Sequence, residues 1–190
     1  MNPIHKIEIA DEQSQPVDAD PLISAVRLIM DDHAIVRSEI SIAIVDDPTI
    51  RMLNKQYLDH DYETDVISFA LDYQESTGEL VGQLIVSTDT AQRMANEFGG
   101  NMQDELLLYV VHGTLHLVGY DDKDPSVVDE MRDAEKKYLA AFNVQHRWSK
   151  NESENENVIE KANKSLDGIA RSNESDSSSD ASSNQREVEF

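Results

Sequence analysis

Two histidines stand four residues apart in the run His112-Gly113-Thr114-Leu115-His116-Leu117-Val118-Gly119-Tyr120-Asp121-Asp122. On a helix they project from one face, one turn apart, which is how a helix presents two imidazole nitrogens to a single metal ion. Gly119 suits the left-handed conformation that ends a helix and turns the chain back, and that reversal brings a third donor, Asp122, to the same ion. Two histidines and a carboxylate with an open fourth position are the build of a catalytic metal site, in which a bound water is acidified. The run therefore demands a fold organised around this helix, and it points to a metal-dependent hydrolase.

A lone histidine on an apolar helix is ordinarily a satisfied core residue. Here the i,i+4 pair, the helix-ending glycine and the carboxylate occur together, which favours the metal reading. The flanks agree: Leu106, Leu107, Leu108, Tyr109, Val110, Val111, Leu115, Leu117 and Val118 surround the helix with apolar groups and predict that it is buried. A neutral imidazole inside it needs a partner for each ring nitrogen.

At 190 residues the chain is long enough for one domain with a full hydrophobic core. It has no cysteine, which removes disulfides, thiolate zinc sites and cysteine nucleophiles, and agrees with a cytoplasmic protein. Met1 to Ala10 contains no apolar segment of the signal-peptide kind. The longest apolar run is the histidine helix itself, short of the ~20 residues needed to span a bilayer, so no membrane partner is expected. The formal charge is −22. Residues 150–190 carry ten acidic and five basic side chains, so about −17 of it sits in residues 1–149. Such a balance argues against a broad basic surface for nucleic acid, although net charge speaks to long-range steering more than to what one cleft holds.

From Ser149 onward the chain is rich in Ser, Asn, Glu and Asp, with seven serines between Ser172 and Asn184. Low hydrophobicity without periodicity predicts a disordered acidic tail over 149–190, leaving a domain over 1–148 with a core at about 20–148. A short strand is expected at Ile4 to Ile9, and an irregular stretch from Ala10 to Asp20. Leu22, Val26, Ile29 and Met30 give helical spacing over Leu22 to His33. Ile40 to Val45 alternates and is β-branched, a strand. Asp47 followed by Pro48 fits an N-cap and first helical position, opening a helix through Tyr57. Val66 to Leu71 and Leu80 to Ser87 read as strands about a turn at Ser76-Thr77-Gly78. Further helices are expected over Thr88 to Phe98, over Glu105 to Val118, and from Ser126 to Phe142 after Asp124-Pro125. The class is α+β: a small sheet packed with about five helices.

The run His112-Gly113-Thr114-Leu115-His116-Leu117-Val118-Gly119-Tyr120-Asp121 resembles the signature of the YbeY family of bacterial metal-dependent endoribonucleases. A second block agrees, comprising Leu53, Asn54, Tyr57, Asp61 and Thr64-Asp65-Val66-Ile67-Ser68-Phe69. A third, Val81-Gly82-Gln83-Leu84-Ile85-Val86-Ser87, resembles the family's glycine-led strand. The likeness spans about Ser41 to Phe142. It implies a zincin-like fold and a small mixed sheet. It also implies a metal on the buried helix, usually zinc, and a role in ribosomal RNA maturation and ribosome quality control. The implied partners are precursor ribosomal RNA and the small ribosomal subunit or its proteins, with no DNA. Three positions depart from the pattern. Asp122 replaces a third histidine, Leu58 stands where the family places an arginine in its substrate cleft, and Gln83 replaces a common acidic residue. Arg51 and Lys55 are weak substitutes for the arginine.

On this reading His112, His116 and Asp122 hold Zn²⁺, with nickel or iron as alternatives. Asp121 is a candidate to orient a ring or accept a proton, equally readable as a turn residue. Thr64, Asp65 and Ser68 are candidates to line the cleft and bind substrate, although strand alternation predicts polar groups there in any case. Two rival functions stand beside the nuclease. One is a metalloprotease, whose ligand spacing this run shares; but those enzymes carry Glu directly after the first histidine as general base, and here Gly113 has no side chain. The other is a non-catalytic, metal-containing ribosome-associated factor, favoured by Leu58 and the acidic surface.

Overall fold

A computed structural model describes residues 3–11, 13, 16–124 and 126–145. In chain order they form β1 (Ile4–Asp11), α1 (Ala19–Asp32), β2 (Arg37–Val45), α2 (Asp47–Leu58), β3 (Val66–Gln74), β4 (Glu79–Ser87), α3 (Thr88–Phe98), α4 (Met102–Leu117) and α5 (Val128–Ala140). The expected tail over 149–190 lies outside the described residues. Among the described residues, no helix is long and apolar enough to cross a membrane.

The four strands form one mixed sheet in the order β1-β2-β4-β3. β1 and β2 pair in parallel, as do β2 and β4, while β3 runs antiparallel to β4 across the turn at Gly78. Alternation divides the side chains of the sheet between two faces. Ile40, Ile42 and Ile44 of β2, with Leu80, Leu84 and Val86 of β4, point into the larger core, which they share with α1, α4 and α5. The opposite face holds a smaller cluster in which Ile67 and Ile85 pack on Ile50 of α2. β3 forms one edge of the sheet and carries a bulge between Ala70 and Asp72, a device that twists an edge away from further pairing.

α4 is buried almost all round: Glu105 to Val111, Gly113 to Leu115 and Leu117 are all buried. A helix apolar on every side has to lie inside the domain, and the sheet, α1, α3 and α5 enclose it. Its start is set by Asn101, whose side chain accepts from the Asp104 amide at 2.9 Å. The helix thus begins three residues before the Glu105 expected from apolar spacing.

The starts of α2 and α5 also differ from the sequence expectation. The N-cap of α2 is Asp46, which accepts from Thr49 N–H at 2.9 Å, so Asp47 lies inside the helix. Released from capping, the Asp47 carboxylate takes hydrogen bonds from Ser87, Thr90 and Arg93 and ties α2 to α3. α5 starts at Val128 rather than Ser126 and has no side-chain cap. Asp124 instead closes a local turn by accepting from both the amide and the hydroxyl of Ser126.

Candidate metal centre

His112 and His116 leave the last two turns of α4 with their rings 4.6 Å apart, nearly perpendicular, and their Nε2 atoms 3.0 Å apart. Gly119 takes φ +101°, a conformation open to glycine and strained for other residues, and the chain doubles back there. The reversal brings Asp122 to the pair, with one carboxylate oxygen 3.7 Å from His112 Nε2 and the other 3.7 Å from His116 Nε2. All three donors lie within 4.8 Å of one another. The rings are about a quarter exposed (22 % and 26 %) and Asp122 more so (39 %), so the set opens to solvent on one side.

The far nitrogens explain why the near ones converge. His116 Nδ1 lies 3.0 Å from the carbonyl oxygen of Tyr120. A carbonyl can only accept, so Nδ1 carries the proton and the neutral ring is left with a bare Nε2. His112 Nδ1 lies 2.6 Å from Oε1 of Glu135, with the same consequence when that carboxylate is ionised. Two lone pairs therefore face each other at 3.0 Å beside a carboxylate. Such an arrangement calls for a cation, and two imidazoles, a carboxylate and an open side suit a divalent metal. With no ion bound, burial disfavours charge on His112; the Glu135 hydrogen bond and the charges of Glu135, Asp65 and Asp122 outweigh it and raise the pKa of the ring.

The other sequence candidates divide. Asp65 lies near enough for its charge to act on His112. Its Oδ1 accepts from Val66 N–H at 2.8 Å and from the Thr64 hydroxyl at 3.0 Å, which fixes both side chains at the start of β3. Ser68, two residues on, turns its hydroxyl toward Gly113 of α4. Asp121 accepts from Lys123 N–H at 3.1 Å, a turn contact, and borders a surface hollow with His33, Tyr120 and Glu130. Arg51 and Lys55 both pair with Asp61, at 2.9 and 2.6 Å, and Leu58 is exposed beside them.

Glu135 was not among the sequence candidates. Its signal was nevertheless present: Met131, Ala134, Tyr138 and Leu139 form the buried stripe of α5, and Glu135 is the acidic residue within it. A carboxylate on such a stripe needs a partner inside the protein.

Position 113 has a steric explanation. A β-carbon built on Gly113 would lie 2.9 Å from each of Leu84 Cδ2, Ser68 Oγ and Val66 Cγ2. α4 thus rests on β3 and β4 through a backbone contact that leaves no room for the glutamate of a metalloprotease.

The family model described as Endoribonuclease YbeY matches residues 7–143. The chain is similar to the Endoribonuclease YbeY of Salinibacter ruber, 40% identical over 137 residues that cover 69% of this chain and 87% of that protein. It is 34% identical to that of Chloroherpeton thalassium over 136 residues, covering 72% and 94%. Among solved structures it resembles the solution structure of TM1509 from Thermotoga maritima, with a TM-score of 0.51 and 27% identity, covering 79% of this chain and 93% of that one. The chain belongs to the YbeY family of endoribonucleases, hydrolases that act on RNA.

Proposed function

We propose that the chain cleaves single-stranded RNA, with precursor ribosomal RNA as its substrate, through a zinc ion held by His112, His116 and Asp122. The observation that carries this reading is the convergence of two bare imidazole nitrogens and a carboxylate on one solvent-facing point. Nitrogen and oxygen donors with an open position favour Zn²⁺, and nickel and iron share the taste for imidazole. When bound, the ion supplies Lewis acidity toward a water and a phosphoryl oxygen.

The residues of the chain do the rest. The Tyr120 carbonyl and Glu135 hold the two rings so that both Nε2 atoms face inward. Asp65, held by Val66 N–H and Thr64, adds charge that acts on the His112 ring. With Leu58 in place of a cationic side chain, the positive charges on the same helix are those of Arg51 and Lys55. Both must exchange Asp61 for a phosphate before they contribute. The acidic surface adds nothing to RNA affinity, so a basic ribosomal partner at the small subunit, in the cytoplasm, would supply it.

The test is cleavage of matched single-stranded RNA, duplex RNA and DNA by protein stripped with a chelator and reloaded with zinc, nickel or iron. Cleavage confined to single-stranded RNA and restored best by zinc is expected. Equal cleavage after stripping would refute the metal role, and no cleavage with any metal would favour the ribosome-associated factor.

A further inference from the structure

Glu135 is 7 % exposed and sits on the apolar stripe of α5, where a charge taken out of water needs a partner to offset the lost hydration. One of its partners is His112 Nδ1 at 2.6 Å. The two histidines are thus held in different ways: His116 by a neutral carbonyl of the adjoining turn, His112 by a charged group from a separate helix.

The difference matters because the two Nε2 atoms are only 3.0 Å apart. His116 must keep its proton on Nδ1 to satisfy the Tyr120 carbonyl, so its Nε2 is an acceptor. Were His112 free to choose, its neutral ring would place the proton on Nε2 and donate it to His116. The two rings would then bond to each other and close the site. A carboxylate at His112 Nδ1 draws the proton to the opposite side of the ring.

We propose that Glu135 is a positioning residue that fixes the tautomer of His112 and so keeps the metal-facing pair from hydrogen-bonding to itself. The proposal rests on His112 being a metal ligand, and it extends that reading to a group on α5. Outer carboxylates of this kind orient a ligating imidazole and raise its basicity, and losing one lowers metal affinity about 10- to 100-fold.

The test uses the full chain with Glu135→Gln and Glu135→Ala. Gln keeps the length and an accepting oxygen but not the charge. Zinc affinity, measured by competition with a chromogenic chelator, is expected to fall about tenfold for Gln and up to about 100-fold for Ala. Nitrogen-15 shifts of the His112 ring in metal-free protein, at a pH where the ring is neutral, give a readout independent of zinc. The parent should carry its proton on Nδ1, and the Ala variant on Nε2. Affinity within twofold of the parent in both variants would overturn the proposal, as would an unchanged tautomer. If Glu135 only pins α5 to α4, the metal-free unfolding midpoint falls while affinity and tautomer stay put, which also overturns it. Should the Ala variant fail to fold, the Gln variant decides by affinity. A parent that binds no zinc would refute the metal reading, and the ring shifts would still judge Glu135.

Discussion

A β-carbon on Gly113 would lie 2.9 Å from Ser68 Oγ, so the helix that carries His112 and His116 touches the edge strand through bare backbone. Two effects oppose each other when Ala is placed there. Ala is the better helix former by about 1 kcal/mol, whereas overpacking a filled core costs about 1–3 kcal/mol. Val66 is β-branched and Leu84 is buried on a central strand, so neither yields easily. Gly113→Ala should therefore lose on the order of 1 kcal/mol in chemical denaturation, and Gly113→Glu considerably more. A Gly113→Glu variant as stable as the parent would show that the contact is slack.

Removing either imidazole tests the ligand assignment. His112→Ala and His116→Ala should each lose stoichiometric metal by elemental analysis, and the stabilisation that zinc gives the folded state should vanish, because binding is coupled to folding. Full metal content in the double variant would refute the site.

Asp122 and Asp121 are adjacent but differently placed, one facing both imidazoles and the other closing a turn onto Lys123. Asp122→Ala should release metal, while Asp121→Ala keeps it. Asp122→His should retain the ion with one more unit of positive charge, acidify the attacking water further, and move the rising limb of the pH–rate profile to lower pH. The reverse pattern for the two alanine variants would assign the third ligand to Asp121.

Asp47 provides a pH dependence. Burial raises the pKa of its carboxyl, but hydrogen bonds from Ser87, Thr90 and Arg93, with the Arg93 charge, outweigh this and leave it lowered. A group whose pKa is lowered on folding stabilises the protein above its unfolded value, near pH 4, and loses that contribution as pH falls through the folded value. Urea denaturation between pH 2 and 6 should show a steeper acid loss in the parent than in Asp47→Asn. Parallel curves would mean that the network does not favour the ionised form.

Much of the local structure was legible in the sequence because caps and periodicity are local. Thr88–Phe98 forms a helix with the expected bounds, and Gly99 ends it at φ +70°. The sequence reading places the cap of α2 at Asp47, one residue late, because the hydrogen bonds that Asp47 accepts come from Ser87 and Thr90, some forty residues away. Strand order was hidden for the same reason. Alternation tells which residues share a face, but not that β4 lies between β2 and β3. His112, His116 and Asp122 could be read as a set because they lie within eleven residues, whereas Glu135 comes from another helix and its role appears only when α5 docks.

That docking makes the site dependent on the order of synthesis. Both imidazoles and Asp122 are made before Glu135, and α5 also brings Met131, Tyr138 and Leu139 to the core. A growing chain that stops short of residue 135 lacks the carboxylate that meets His112 Nδ1. On the role proposed for Glu135, the site is complete only once the C-terminal helix has been made and has packed against α4.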